Sequence, residues 1–330
     1  MIYIAGQPHV LLGGANSEAL DNAAVLRAAD IPVTLVHYSN PHPALVETAK
    51  SLGIEVKPYQ SGMFANQIVA GWCHPRFLES ITSPRPRCAV WFNCMTQTSK
   101  IERFVHQNGA IDRFGFVSAY QKRIIVDELS KVAPIKEFSG YAPPFTTAWR
   151  AFKGAPRRMG STIGVITRDD PAKVNRRVFE IYQKSQAKRL IWLGWGNACS
   201  QSYPDVSEIR GFSPVSPTTV GVSDFYDQID VCLHIPGDAG ESFCRIMMEA
   251  AEADVPFLAT HSHAFPEFIN GACAGQLCRE DREFVAMINQ ILASNDCARS
   301  MASAQKRHLR SQQFNERCLG AWRQLLAECK

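Results

Sequence analysis

The sequence predicts an α/β protein built from two parallel-sheet domains. The chain has 330 residues, which is enough for two domains of ordinary size. A strand, a Gly-rich turn, a helix and a second buried strand follow one another in the first 40 residues. The same alternation starts again at Ser161, after a stretch that lacks periodicity. Alternating strands and helices are typical of parallel sheets covered by helices.

Short runs of β-branched and aromatic residues mark the strands of the first domain, which we assign to residues 1–150. The predicted strands are 3–12, 32–37, 55–58, 67–73, 88–93 and 114–118, and the predicted helices are 17–29, 43–52 and 118–129. Gly13 and Gly14 follow the first strand, where the absence of a side chain lets a ligand approach the backbone. A tight turn without a ligand also explains this pair. The segment around Gly13 and Gly14 does not have the GxGxxG pattern, which argues against a dinucleotide-binding site here.

His74 stands at the end of the apolar run 67–73. A histidine at the carboxyl end of a strand can serve a substrate as a hydrogen-bond donor or as a base. A purely structural role explains the position equally well.

Residues 151–161 are polar, basic and rich in Gly and Pro, so we predict a linker there and a second domain over 162–310. Arg168 follows the first strand of this domain, and Lys173 lies at the start of the next predicted helix. Together an Arg and a Lys can neutralise a diphosphate without a metal ion, although two ordinary surface cations fit the spacing as well. The next strand ends in a turn that contains Gly194 and Gly196.

Two carboxylates, Glu241 and Glu249, enclose an apolar helical run in the second half of this domain. We predict Glu241 in the loop before the helix, Ser242 as its N-cap and Glu249 in its second or third turn. Free N–H groups at a helix start favour an anion, so the arrangement suits a phosphorylated ligand that carries hydroxyl groups. An amphipathic helix with a solvated acid at each end is the alternative.

The composition is that of a cytoplasmic protein without a membrane segment. The net charge of +4 permits an anionic ligand but does not require nucleic acid. The eleven cysteines form no CxxC pair, which favours reduced thiols over a disulfide framework. We find no basic region typical of a signal peptide and no stretch of about 20 apolar residues. His261 and His263 alone are poor evidence for a metal site.

Several motifs follow one another in a fixed order along the chain. Glu241-Ser242-Phe243 followed by Glu249-Ala250-Ala251 is similar to the EX7E signature of GT-B retaining glycosyltransferases, in particular the GT4-like group 1 family. Arg168 and Lys173 match the Arg and Lys of that family in type and spacing. The other matching motifs are Gly13-Gly14-Ala15, Gly194-Trp195-Gly196, Asp230-Val231-Cys232, Pro266-Glu267-Phe268-Ile269 and Gly275-Gln276-Leu277. The resemblance covers most of residues 161–280 and, more loosely, the first 40.

The resemblance implies the GT-B architecture, in which two Rossmann-like domains face each other across a cleft. It implies a UDP- or GDP-linked sugar as donor, bound mainly by the C-terminal domain, with the acceptor bound mainly by the N-terminal domain. No cofactor and no metal ion are implied. The last segment, 311–330, is expected to form a helix that packs back on the N-terminal domain.

The resemblance also implies roles for single residues. Arg168 and Lys173 would hold the diphosphate, Glu241 would contact sugar hydroxyls and Glu249 would accept hydrogen bonds from the ribose. His74 would lie on the acceptor side. The remaining positions of the implied nucleotide-sugar site are Gly13, Gly14, Gly194, Gly196, Ser242, Phe243 and Cys244.

Three positions depart from the family pattern. Cys244 and Asp254 stand where the family has glycine, and Asn16 or Ser17 stands where it often has Glu. These departures point to a narrowed donor choice or to a protein that binds sugar nucleotides without turnover. A sugar-nucleotide epimerase or phosphorylase of the same fold is a separate alternative. A saccharide or small molecule is the favoured acceptor, and nucleic acid remains possible because of arginines such as Arg85 and Arg157.

Overall fold

The computed structural model of the protein describes residues 1–6, 13–147, 150, 152, 160–216, 221–238, 240–269 and 276–329. The chain divides into two compact units. The first contains Met1–Trp149 and Gln313–Lys330, and the second contains Arg150–Gln312. Most of the predicted linker, 151–161, lies outside the described residues.

The first unit is built on a sheet of six parallel strands in the order β3-β2-β1-β4-β5-β6. The strands are β1 Ile2–Ala5, β2 Val33–His37, β3 Glu55–Pro58, β4 Ile68–Trp72, β5 Cys88–Phe92 and β6 Arg113–Gly115. The helices are α1 Gly14–Ala28, α2 Pro43–Ser51, α3 Pro75–Ser80, α4 Lys100–Gln107 and α5 Ala119–Leu129, with α13 Phe314–Glu328 at the end of the chain. Apolar residues of α1 and α13 pack on one face of the sheet, and those of α3, α4 and α5 contribute to a second buried cluster.

Helix α13 is held in the first unit by buried polar contacts as well as by apolar packing. Trp322 Nε1 donates a hydrogen bond to Asn22 Oδ1 on α1 over 2.9 Å. The Asn22 amide donates to the Tyr141 hydroxyl at 3.0 Å, and this hydroxyl in turn donates to Glu18 at 2.6 Å. Glu18 also accepts a bond from Trp72 Nε1 on β4. Because these groups are all buried, the network fixes the position of α13 on the sheet.

The second unit repeats the same topology, with six parallel strands in the order β12-β11-β10-β7-β8-β9. The strands are β7 Thr162–Ile166, β8 Arg189–Leu193, β9 Phe212–Val215, β10 Val231–His234, β11 Phe257–Thr260 and β12 Leu277–Cys278. The helices are α6 Arg177–Lys184, α7 Asn197–Ser202, α8 Val222–Tyr226, α9 Arg245–Glu252, α10 Phe265–Phe268, α11 Asp281–Ala293 and α12 Asn295–Ser311. No helix in the described part of the chain is long and apolar enough to cross a membrane.

The predicted α/β class and the parallel sheets are confirmed. The strand over 55–58 matches its predicted bounds, and Ser118, the first residue of the predicted helix 118–129, is the N-cap of α5. Residues 7–12 of the first predicted strand lie outside the described residues. The helix predicted after Asp170 is instead a short 3-10 turn, Pro171–Lys173, which ends before α6 begins.

Candidate functional site

Both sheets have the strand order of a doubly wound fold, and this order locates the sites at which ligands bind. In such sheets ligands lie outside the carboxyl ends of the strands, at the point where the strand order reverses. In the second sheet this point lies between β7 and β10, because the chain runs from β7 outward to β8 and β9 and then returns to β10. The segments that follow β7 and β10 carry Arg168, Lys173 and Glu241.

Glu241 is the centre of this group. Its side chain is only 17% exposed, and Oε2 lies 3.3 Å from His234 Nε2 and 3.9 Å from Lys173 Nζ. Lys173 also donates to the Gly240 carbonyl over 3.2 Å. The carboxylate therefore lies between the imidazole at the end of β10 and the ammonium group of the 3-10 turn Pro171–Lys173.

The electrostatic surroundings keep Glu241 ionised. Burial by itself would raise the pKa of this carboxyl group, but the hydrogen bond from His234 and the charges of His234, Lys173 and His263 outweigh burial and lower it. A carboxylate with such a low pKa can accept hydrogen bonds from sugar hydroxyls at neutral pH. It is poorly suited to act as a general acid.

Arg168 does not share this arrangement. Its guanidinium group forms an ion pair with Asp170, at 3.0 Å, and its side chain is 53% exposed. Asp170 also accepts a bond from the Ala172 amide and so caps the 3-10 turn that carries Lys173. The sequence therefore places both cations on one loop, but only Lys173 contacts Glu241 in the structure.

Gly194 and Gly196 allow two loops to approach closely. Gly194 has a φ of +94°, and a Cβ there would lie 1.7 Å from the Thr167 carbonyl oxygen. A Cβ on Gly196 would lie 2.4 Å from the Asp169 carboxylate, which accepts bonds from the amides of Gly196 and Cys199. These contacts hold the turn after β8 beside the loop that carries Arg168. They also mean that Asp169 already occupies the amides at the start of α7.

Helix α9 begins later than the sequence predicts. Ser242 is not its N-cap, because the helix starts at Arg245 and Cys244 is the capping position, without a side-chain hydrogen bond. Phe243 packs edge-on against Phe268, with the ring centroids 4.9 Å apart, and this burial keeps the preceding residues out of the helix. Cys244 is buried, and burial raises the pKa of its thiol.

Glu249 lies in the second turn of α9, as predicted. The Tyr226 hydroxyl lies 3.5 Å from Glu249 Oε2 and 3.3 Å from the Ile246 carbonyl oxygen, so its single proton can be shared between these two acceptors. The Glu249 side chain is half-buried, so it lies near the surface beside the start of the helix. Asp254, after the helix, has a φ of +55°, a left-handed conformation that Asp tolerates better than most residues.

The corresponding point of the first sheet lies between β1 and β4. Gly13 is the N-cap of α1 and Gly14 is its first residue, so both belong to the segment that follows β1. His74 follows β4 and caps α3, where its Nδ1 accepts a hydrogen bond from the Arg76 amide at 3.2 Å. An Nδ1 atom that accepts is unprotonated, so Nε2 carries the proton of the ring. His74 packs against Tyr38 and is oriented to donate rather than to act as a base.

Sequence analysis did not identify three residues that shape the second site, namely Asp169, Tyr226 and His234. Asp169 and Tyr226 contact partners 27 and 23 residues away along the chain, and His234 contacts a partner seven residues away. A signal for His234 does exist. It is a polar residue at the carboxyl end of an apolar strand, the same pattern that drew attention to His74.

The fold was compared with known proteins. No family model and no curated protein matches the sequence. Among solved structures, HepE of Anabaena in complex with UDP-glucose aligns with a TM-score of 0.77 at 14% identity, over 99% of both chains. A TarM mutant of S. aureus, in a complex that includes UDP, aligns with a TM-score of 0.74 at 11% identity, over 98% of this chain and 99% of TarM. Sucrose-phosphate synthase of Thermosynechococcus elongatus aligns with a TM-score of 0.68 at 13% identity, over 99% of both chains.

These alignments span nearly the whole of each chain and include both sheets. The identities are low, so the likeness concerns the fold. The chain has the GT-B fold that these glycosyltransferases share.

Proposed function

We propose that the protein is a retaining, GT4-like glycosyltransferase that moves a sugar from a UDP- or GDP-linked donor to an acceptor hydroxyl group. The observation that carries this proposal is the group at the reversal point of the second sheet. There Lys173, the ionised Glu241 and the start of α9 lie together, within a fold that holds UDP-glucose in HepE.

The charges of this group match the parts of a nucleotide sugar. In the proposed complex Lys173 binds the diphosphate, helped by the amides of Phe243 and Cys244 at the start of α9. Arg168 contributes after it exchanges Asp170 for a phosphate oxygen. Gly194, Gly196 and Ser242 line the donor site, where the two glycines keep the β8 turn close to the phosphate loop.

The two carboxylates have separate roles. Glu241 accepts hydrogen bonds from sugar hydroxyls, because its low pKa keeps it charged. Glu249 accepts from the ribose hydroxyls, since a carboxylate can accept several hydrogen bonds in addition to the long one from Tyr226. On the acceptor side, Gly13 and Gly14 allow close approach to the backbone and His74 donates through Nε2.

The proposed reaction breaks the bond between the sugar C1 and the phosphate oxygen. The acceptor oxygen attacks C1 on the same face, and its proton passes to the departing diphosphate. Negative charge grows on the diphosphate in the transition state, so the fixed positive charge of Lys173 and the helix N-terminus lowers the barrier. No carboxylate serves as nucleophile, in contrast to retaining glycosidases. The positive charges of the site replace a metal ion in this role, so EDTA should not reduce the activity.

The test starts with calorimetric titration of UDP and GDP, followed by incubation with UDP-glucose and a panel of saccharide acceptors. We expect micromolar binding of one nucleotide and transfer with retention of the anomeric configuration, which NMR of the product detects. Inversion would refute the retaining mechanism. Conversion of the donor to an epimer, or phosphate-dependent release of the sugar, would show the alternative activities. Nucleotide binding without any turnover of the donor would indicate a non-catalytic sugar-nucleotide-binding protein.

A further inference from the structure

Three different metal-binding side chains meet at one point of the second unit. One ligand atom from each of His234, Glu241 and Cys244 lies within 4.8 Å of the other two. His234 and Cys244 are buried, and the Glu241 side chain is 17% exposed. His261 and His263 do not belong to this cluster of described residues.

The set of donor atoms indicates which ion would fit. An imidazole nitrogen, a carboxylate oxygen and a thiolate sulfur are the three ligand types that zinc accepts, and three protein ligands leave one position open. Magnesium and calcium prefer oxygen ligands, so a site with His and Cys does not suit them. The cluster therefore selects for a thiophilic divalent ion.

The framework around the cluster is rigid enough to preorganise it. His234 ends β10, a strand paired on both sides, and its ring packs edge-on against Phe265 with a centroid distance of 5.6 Å. Cys244 is held at the N-cap of α9. Zinc–ligand bonds of about 2.0 to 2.3 Å place two tetrahedral ligand atoms about 3.5 Å apart. Small side-chain rotations therefore suffice to close the cluster on an ion.

We propose that His234, Glu241 and Cys244 form a binding site for a thiophilic divalent transition-metal ion, with zinc as the best match. Ligation displaces the thiol proton to solvent and forms the Cys244 Sγ–metal bond. Lys173 withdraws from Glu241 and keeps its bond to the Gly240 carbonyl. If Glu241 also binds the sugar, which rests on the proposed function, then zinc and the nucleotide sugar exclude each other.

Cobalt is the first probe, because a thiolate ligand gives Co²⁺ a near-ultraviolet charge-transfer band. We expect this band in the metal-free wild-type protein titrated with Co²⁺, and its loss on addition of Zn²⁺. Cys244→Ser and His234→Gln should lose the band and bind Zn²⁺ at least tenfold more weakly in calorimetry. Cys278→Ser is the matched control, because Cys278 is also a buried thiol of the second unit and lies outside the cluster.

Circular dichroism of each variant checks that it is folded. If Cys244→Ser proves unfolded, Glu241→Gln replaces it, with tenfold weaker Zn²⁺ binding expected. A band that persists in Cys244→Ser, or that is lost in Cys278→Ser, would overturn the proposal, as would the absence of a band in the wild-type protein.

A second titration tests the exclusion. UDP-glucose is titrated into the metal-free protein and into the protein saturated with Zn²⁺. Binding that is at least tenfold weaker with zinc supports the exclusion, and equal binding refutes it. Failure of the proposed function is a separate result. In that case neither UDP nor GDP binds the metal-free protein, while the cobalt band still decides whether the metal site exists.

Discussion

Replacing Lys173 by methionine tests which cation of the phosphate loop binds the nucleotide. Lys173 is only 21% exposed and already lies beside Glu241, whereas Arg168 is 53% exposed and paired with Asp170. A charge-assisted hydrogen bond in a partly buried site contributes about 1.5–3 kcal/mol. We therefore expect Lys173→Met to weaken UDP binding about 10- to 150-fold in calorimetric titration.

Arg168→Ala gives the comparison. An exposed ion pair contributes about 0–1 kcal/mol, so this variant should lose at most about fivefold in UDP affinity. Lys184→Ala, on an exposed position of α6 in the same unit, should bind UDP like the wild type. Methionine keeps the aliphatic part of Lys173, so a loss of binding reports the charge rather than packing. The reasoning is refuted if Lys173→Met binds UDP as well as the wild type, or if Arg168→Ala has the larger effect.

Three further predictions concern stability and pH. Asp169→Asn removes a carboxylate that accepts several backbone amides, so we expect the free energy of unfolding in denaturant to fall by about 1–3 kcal/mol. Asp205 is exposed, so Asp205→Asn should change the free energy of unfolding by about 0–1 kcal/mol. Equal effects of Asp169→Asn and Asp205→Asn would contradict the stabilising role of Asp169. The pKa of Glu241 is lower in the folded protein than the ordinary carboxyl pKa of 4.5, so ionised Glu241 stabilises the fold above pH 4.5. This stabilisation is lost as the pH falls through the pKa that Glu241 has in the folded protein. Unfolding measured from pH 7 to pH 3 should therefore show a weaker loss of stability for Glu241→Gln than for the wild type, and parallel curves would contradict this. Trp322→Ala should lower the free energy of unfolding by about 3–5 kcal/mol, because the Trp322 ring is fully buried. Phe104 is 62% exposed, so Phe104→Ala should unfold like the wild type in the same assay.

The parts of the fold that are visible in the sequence are those set by local pattern. Strand β3 follows Gly53 and ends at Pro58, two residues typical of turns, so its bounds are predictable from local sequence. The short helices α3 and α7 were not predicted, because one or two turns carry too little periodicity to register. For α7 the cap comes from a tertiary neighbour, because the Asp169 carboxylate accepts hydrogen bonds from the amides at its start, whereas α3 is capped by the adjacent His74.

The error at Ser242 has a similar cause. Its hydroxyl group and position favour an N-cap on local grounds. The ring of Phe243, however, must reach Phe268, a contact that no local pattern reveals, and the helix therefore starts two residues beyond that ring. Tertiary packing overrides the capping preference. Glu249 still falls in the second turn, because a shift of two residues at the start leaves it within the same helix.

The candidate site itself follows from topology more than from any single motif. Parallel strands place their carboxyl ends on one edge of the sheet. Because the chain returns from β9 to β10, the segments that follow the neighbouring strands β7 and β10 run in opposite directions and leave a crevice between them. Whatever residues follow β7 and β10 must then face each other, however far apart they are in the sequence. Lys173 and Glu241 are 3.9 Å apart for this reason, and His234 joins them because it is the last residue of β10. Cys244, at the N-cap of α9, adds a thiol at the same point. One sheet edge can therefore supply both the charges for a diphosphate and the ligands for a metal ion.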